Sequence, residues 1–167
     1  MPLTADEIVK ALDLRPHPNC GFTNEIYRSA LQVPAADLPA GYGGPRPLGG
    51  CMYFLVTAER RVHLHRIRPD QMYHHYLGDP LEVLLLYSDG RSEVRVVGSD
   101  VTAGMRPQLL IPGDTFHAAR VLPGGDHALL GTSLWLRPEP SDVELGDIAK
   151  LMSAFPSAKA EIAAFAM

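Results

Sequence analysis

From Phe22 to Arg137 the chain repeats one pattern, a short run rich in β-branched, aromatic and leucine residues followed by a glycine, proline or aspartate turn. The clearest case is Glu82–Tyr87 and Ser92–Val97 around Ser88-Asp89-Gly90-Arg91. Two β-rich runs closed by Asp-Gly predict a hairpin. Further strands are predicted at Cys51–Val56, 61–67, Gln71–Leu77, Gln108–Ile111, Thr115–Val121 and Ala128–Arg137, with Phe22–Leu31 as a looser, edge-like strand. About eight to ten closely spaced strands, with helix only at the ends, predict an all-β double-sheet jelly roll.

The helices are punctuated by their own signals. Thr4-Ala5-Asp6-Glu7 is a capping box, and Ile8, Val9, Ala11 and Leu12 follow as an apolar stripe, so a helix is expected over 5–13. Ser141-Asp142-Val143-Glu144 is a second capping box, so C-terminal helices are expected over 142–166. Residues 34–50 hold four prolines and five glycines, which predicts a long loop serving as a lid or rim. The 167 residues suit a single domain, with the barrel at about 22–137.

Composition narrows the function. The net charge is −4, with 46 % hydrophobic and 20 % charged residues and no basic run, which argues against nucleic acid as a partner. No apolar stretch approaches the ~20 residues that span a bilayer, and Met1–Asp13 lacks a signal layout, so no membrane partner and a cytoplasmic location are expected. Cys20 and Cys51 form no CxxC and read as two reduced thiols.

Chemistry concentrates in Val62-His63-Leu64-His65-Arg66-Ile67 and Asp70-Gln71-Met72-Tyr73-His74-His75-Tyr76-Leu77-Gly78. Alternate side chains of a strand share a face, so His63 and His65 are expected to point the same way. Paired imidazoles on one face, with a polar residue from a neighbouring strand, can hold a divalent metal. The bland reading is a pair of hydrogen-bonded surface histidines.

The spacing of His63, His65, Gln71 and Gly78 is similar to the first cupin signature, and Ile111-Pro112-Gly113-Asp114 before His117 resembles the second. A tighter resemblance runs from about residue 7 to 155. Leu14-Arg15-Pro16-His17-Pro18, Glu25-Ile26-Tyr27-Arg28-Ser29, Met52-Tyr53-Phe54-Leu55, Tyr76-Leu77-Gly78-Asp79-Pro80 and Ala118-Ala119-Arg120 look like the cupin-5 family of small cupins, which resemble dTDP-sugar epimerases. The resemblance implies a double-stranded β-helix (cupin barrel), a homodimer and a small-molecule substrate. It does not imply one reaction. The family reads Asp-Glu-Ile-Trp-His where this chain has Asp70-Gln71-Met72-Tyr73-His74, so an amide replaces the acid.

His63, His65 and His117, with Gln71 as fourth or supporting ligand, are the expected metal set, holding Fe(II) first, with Zn(II), Ni(II), Mn(II) or Cu(II) as alternatives. The leading expectation is a metal-dependent oxygenase, lyase or isomerase acting on a small anionic metabolite. His75, Tyr73 and Tyr53 are the candidate proton-transfer groups. Gln108, Arg28, Arg66 and Arg120 are the candidate substrate-binding residues, the arginines as carboxylate clamps. The alternatives are a metal-free epimerase or isomerase, with His65 or His75 as base and Tyr73 as acid, and a non-catalytic metabolite-binding module.

Overall fold

The structure, a computed structural model, describes residues 3–166; Met1, Pro2 and Met167 lie outside the described residues. In chain order the elements are α1 (Ala5–Ala11), β1 (Arg15–Pro16), β2 (Phe22–Arg28), β3 (Gln32–Val33), β4 (Arg46–Pro47), β5 (Gly50–Thr57), β6 (Val62–Ile67) and β7 (Asp70–Gly78). They continue as β8 (Leu81–Leu86), β9 (Ser92–Val97), β10 (Gln108–Ile111), β11 (Phe116–Val121), β12 (His127–Trp135), β13 (Val143–Leu145), α2 (Ile148–Ala154) and α3 (Lys159–Ala166).

Two antiparallel sheets face each other. One has the order β1-β2-β5-β12-β7-β10 and the other β13-β6-β11-β8-β9. Between them lies the main core, with Phe54, Val56, Tyr73 and Leu130 from the first sheet meeting Val62, Val83, Leu85, Ala119 and Val121 from the second. Each such aliphatic side chain contributes about 1.5–3 kcal/mol on burial. The outer faces are covered by the terminal helices. Ile8 of α1 packs on Leu55 and Leu129, while Leu151 of α2 and Ile162 and Phe165 of α3 pack on Leu64, Leu84, Leu86 and Ala118. This is the expected jelly roll with short terminal helices. No described helix is long and apolar enough to cross a membrane.

The first capping box forms as expected: Thr4 Oγ1 accepts from the Glu7 N–H, and the Glu7 carboxylate accepts from the Thr4 N–H. The second region differs. Asp142 accepts from Arg46 Nε (2.6 Å) and Nη2 (2.8 Å) and from the Glu139 N–H (2.8 Å), so its carboxylate is occupied. Val143–Leu145 extend along the free edge of β6, and the helix starts only at Ile148, capped by Asp147. The same ion pair ties down the proline- and glycine-rich loop. Its ends pair as β3 and β4, and buried Arg46 reaches across to buried Asp142.

Glycine is required at two turns that shape the site. Gly78 has φ +86°, and a Cβ there would collide with the His127 carbonyl. At Gly113 a Cβ would collide with the Arg68 carbonyl, and the Gly113 N–H donates to Asp70 Oδ1 at 2.7 Å, tying the Pro-Gly turn to the start of β7.

Candidate functional site

A cavity of about 510 Å³ opens between the sheets. One wall is β6, which presents His65 and Ile67. The opposite wall is β7 and β12, presenting Gln71, Tyr73, Thr132 and Leu134, with Met52 and Phe54 of β5 beside them. The register explains this: Gln71 pairs with Leu134 and Tyr73 with Thr132, so all four share the inner face. The mouth is formed by His17, Asn19, Arg137 and Glu139.

His65 is 5 % exposed. Its Nδ1 lies 2.7 Å from the His63 carbonyl. A carbonyl can only accept, so Nδ1 carries the proton and Nε2 keeps its lone pair. Burial holds the His65 pKa below the usual imidazole range, so the ring is neutral at pH 7. The His117 ring packs against it, centroids 4.3 Å apart. His117 is fully buried; its Nδ1–H donates to the Thr115 carbonyl at 3.3 Å, and its Nε2 accepts from the Gln71 amide at 3.2 Å. Desolvation pushes its pKa well down. Both ring nitrogens of His117 are therefore engaged, whereas among the described residues His65 Nε2 has no hydrogen-bond partner.

Tyr73 packs on Phe54 with centroids 4.7 Å apart and sets its edge toward His117 at 6.0 Å. Burial raises its phenol well above the ordinary value, with the Cys20 thiol adding to the effect, so it stays protonated. Cys20 is itself pushed up to about 12 by burial, which makes it an unreactive thiol. The Thr132 hydroxyl is buried and unpartnered among the described residues.

The expected three-histidine set is not assembled. His117 pairs with His65, but Ala119 pairs with Val62, so two steps on β11 match three on β6. The extra residue is a bulge between Val62 and His65. It turns Val62 into the core alongside Ala119 and leaves His63 exposed, off the face that His65 and Ile67 share. Among the described residues, no group of three or more His, Cys, Asp or Glu side chains is arranged to hold a metal.

The other candidates scatter. His75 follows Gln71 and Tyr73 on the same face, but beyond the cavity, where its Nε2–H donates to the Asp79 carbonyl at 3.1 Å. Tyr53 lies on the outer face in edge contact with Tyr76, 6.0 Å between centroids, beside α1. Gln108 is exposed on that face too, bonded to His74 at 3.1 Å, which in turn bonds Ser133 at 2.9 Å. Arg28 pairs with Glu139 at the cavity mouth, but Arg66 pairs with Glu144 and Arg120 with Glu82 away from it.

His17, Asn19, Thr132, Arg137 and Glu139 were not singled out by sequence reasoning. The proline-flanked His17 and the Arg137-Pro138-Glu139-Pro140 run carried a signal, since prolines pin extended segments at a rim. Thr132, inside an apolar strand, carried none.

Opposed antiparallel sheets with a cavity between them, entered beside the first histidine strand, define a cupin-type jelly roll. The chain belongs to the cupin-5 family, described as the Cupin superfamily (DUF985), which matches over residues 6–136. Among solved structures it is similar to a hypothetical protein from Leishmania major (28 % identity, TM-score 0.88, covering 98 % of this chain and 99 % of that one). It is also similar to a protein from Shewanella oneidensis (27 % identity, TM-score 0.84, 99 % of both chains). A cupin-2 domain from Rhodospirillum rubrum shares the fold at 15 % identity and TM-score 0.63, over 99 % of this chain and 97 % of that one. A search of curated proteins finds no match.

Proposed function

We propose that the protein is a small-molecule isomerase or epimerase that moves a proton at a carbon beside a carbonyl, with His65 as base and Tyr73 as acid. The observation that carries this reading is the polarised imidazole of His65. Its Nδ1–H is anchored on a backbone carbonyl, and its Nε2 lone pair is free in a cavity that a protonated, buried tyrosine also lines. A neutral base with a free lone pair and an acid that stays protonated are the pair such a transfer needs. His65 takes the carbon proton, and the Tyr73 hydroxyl donates to the carbonyl oxygen as negative charge builds there. His117 and Gln71 lock the floor of the site by their mutual hydrogen bond.

A divalent ion, Fe(II) foremost, is the cofactor implied by the cupin signatures. The residues present do not fit a three-histidine centre. His63 is exposed on its bulge, and both His117 nitrogens are engaged. No step is therefore routed through a metal.

The test is solvent exchange. In D2O, 2-acetylnaphthalene, an aryl methyl ketone of suitable size, should take deuterium into its methyl group faster with the protein than without it. His65→Gln should abolish the enhancement while retaining ketone binding, and Tyr73→Phe should lower it by roughly 10²–10⁴-fold, the span of one general acid or base. Bound ketone with no exchange above background contradicts the reading.

A further inference from the structure

Among the described residues, the cavity is polar in places yet has no unpaired charge. Arg137 is the cation that lines it, and each part of its guanidinium is taken. Nε donates to Glu25 at 2.8 Å and Nη1 to the Pro138 carbonyl at 2.6 Å, with Glu139 at 3.4 Å. Arg28 spends its Nη2 on Glu139 at 2.6 Å. Two guanidiniums thus face two carboxylates, and the rim is neutral. The Nδ1–H of His65 is committed to the His63 carbonyl, so the ring offers a ligand only the lone pair of Nε2. What remains for a ligand is a pair of uncharged groups, the His65 Nε2 and the phenol of Tyr73, among Met52, Phe54 and Leu134.

Resting on the proton-transfer reading above, we infer that the ligand of this cavity is an uncharged, largely apolar carbonyl compound, and not a carboxylate or phosphate. An anion entering here would lose its hydration and find no unpaired cation to replace it. A neutral carbonyl loses little on desolvation and can accept from Tyr73. The arginines that the sequence offered as anion clamps are the ones the fold neutralises. The volume of about 510 Å³ suits a fused-ring or substituted monocyclic ligand.

The experiment compares two ligands of one shape, 2-acetylnaphthalene and 2-naphthoate, by ligand-observed NMR competition on the full chain. The ketone should bind at least tenfold tighter. Glu25→Gln with Glu139→Gln frees both guanidiniums and should tighten 2-naphthoate about tenfold. An advantage of less than tenfold for the ketone, tighter binding of the naphthoate, or binding of neither overturns the inference. Ketone that binds with that advantage but exchanges no deuterium overturns the proton-transfer reading and leaves this one standing.

Discussion

At the scale of the residue, the two buried imidazoles set stability and, on the proposed function, reactivity. His65 and His117 have folded-state pKa values held below the ordinary 6.5 by desolvation. The unfolded chain therefore binds more protons than the folded one once pH drops toward 6.5, and stability falls with pH. Their contribution is fully present above about pH 6.5 and is lost as pH falls toward the depressed values. The midpoint of urea unfolding should drop between pH 7 and pH 5.5, a window above ordinary carboxylate titration. His117→Met should make that slope shallower. A midpoint independent of pH across the window would contradict the assignment of both rings as neutral. Exchange activity, by the same sign, should hold at neutral pH and fall only where His65 gains its proton.

At the scale of the element, two devices place the site. One is the β6 bulge, which decides that His65 faces the cavity and His63 faces out. The strand itself was legible from its composition. The bulge was not, because a strict period of two is the default and one added residue reverses it. The other device is the Arg46–Asp142 pair, with side chains 4 % and 1 % exposed. It clamps the proline-rich loop to the segment that carries Glu139 and leads into β13. Removing one partner strands a buried charge, so Arg46→Met should cost about 3–5 kcal/mol in urea denaturation. Arg46→Met combined with Asp142→Leu should recover most of that loss. Equal losses in the single and double variants would show that packing, and not the charge pair, holds the clamp. The capping box read at Ser141–Glu144 starts no helix because the Glu144 carboxylate is committed to Arg66, 78 positions away, and the Asp142 carboxylate to Arg46, 96 positions away.

At the scale of the whole molecule, the alternation of short strands and turns made the strands and the Asp-Gly hairpin legible, while the jelly-roll topology needed the family resemblance as well and the terminal helices were legible from capping residues and apolar stripes. Gln71, His65 and Tyr73 were legible as residues of the inner face because strand periodicity and the signature spacing locate them, and all three line the cavity. Thr132, His17 and the Arg137–Glu139 rim were not, since their meeting depends on which strands become neighbours across two sheets. The neutral rim is a property of that assembly: Glu25 and Arg137 stand 112 residues apart. It is also why an expectation of an anionic substrate, natural from isolated arginines, gives way to an uncharged one as the proposal.

On the proposed function, His65 acts as a free neutral base and not as one ligand of a metal-bound histidine triad. Nitrogen-15 NMR of histidine-labelled, untagged protein during titration with Zn(II) and, anaerobically, Fe(II) tests it most directly. The expected result is His65 and His117 as neutral Nδ1–H tautomers, substoichiometric metal by elemental analysis of the purified protein, and no joint shift of His63, His65 and His117 at one equivalent. Simultaneous 1:1 perturbation of those three rings would contradict it.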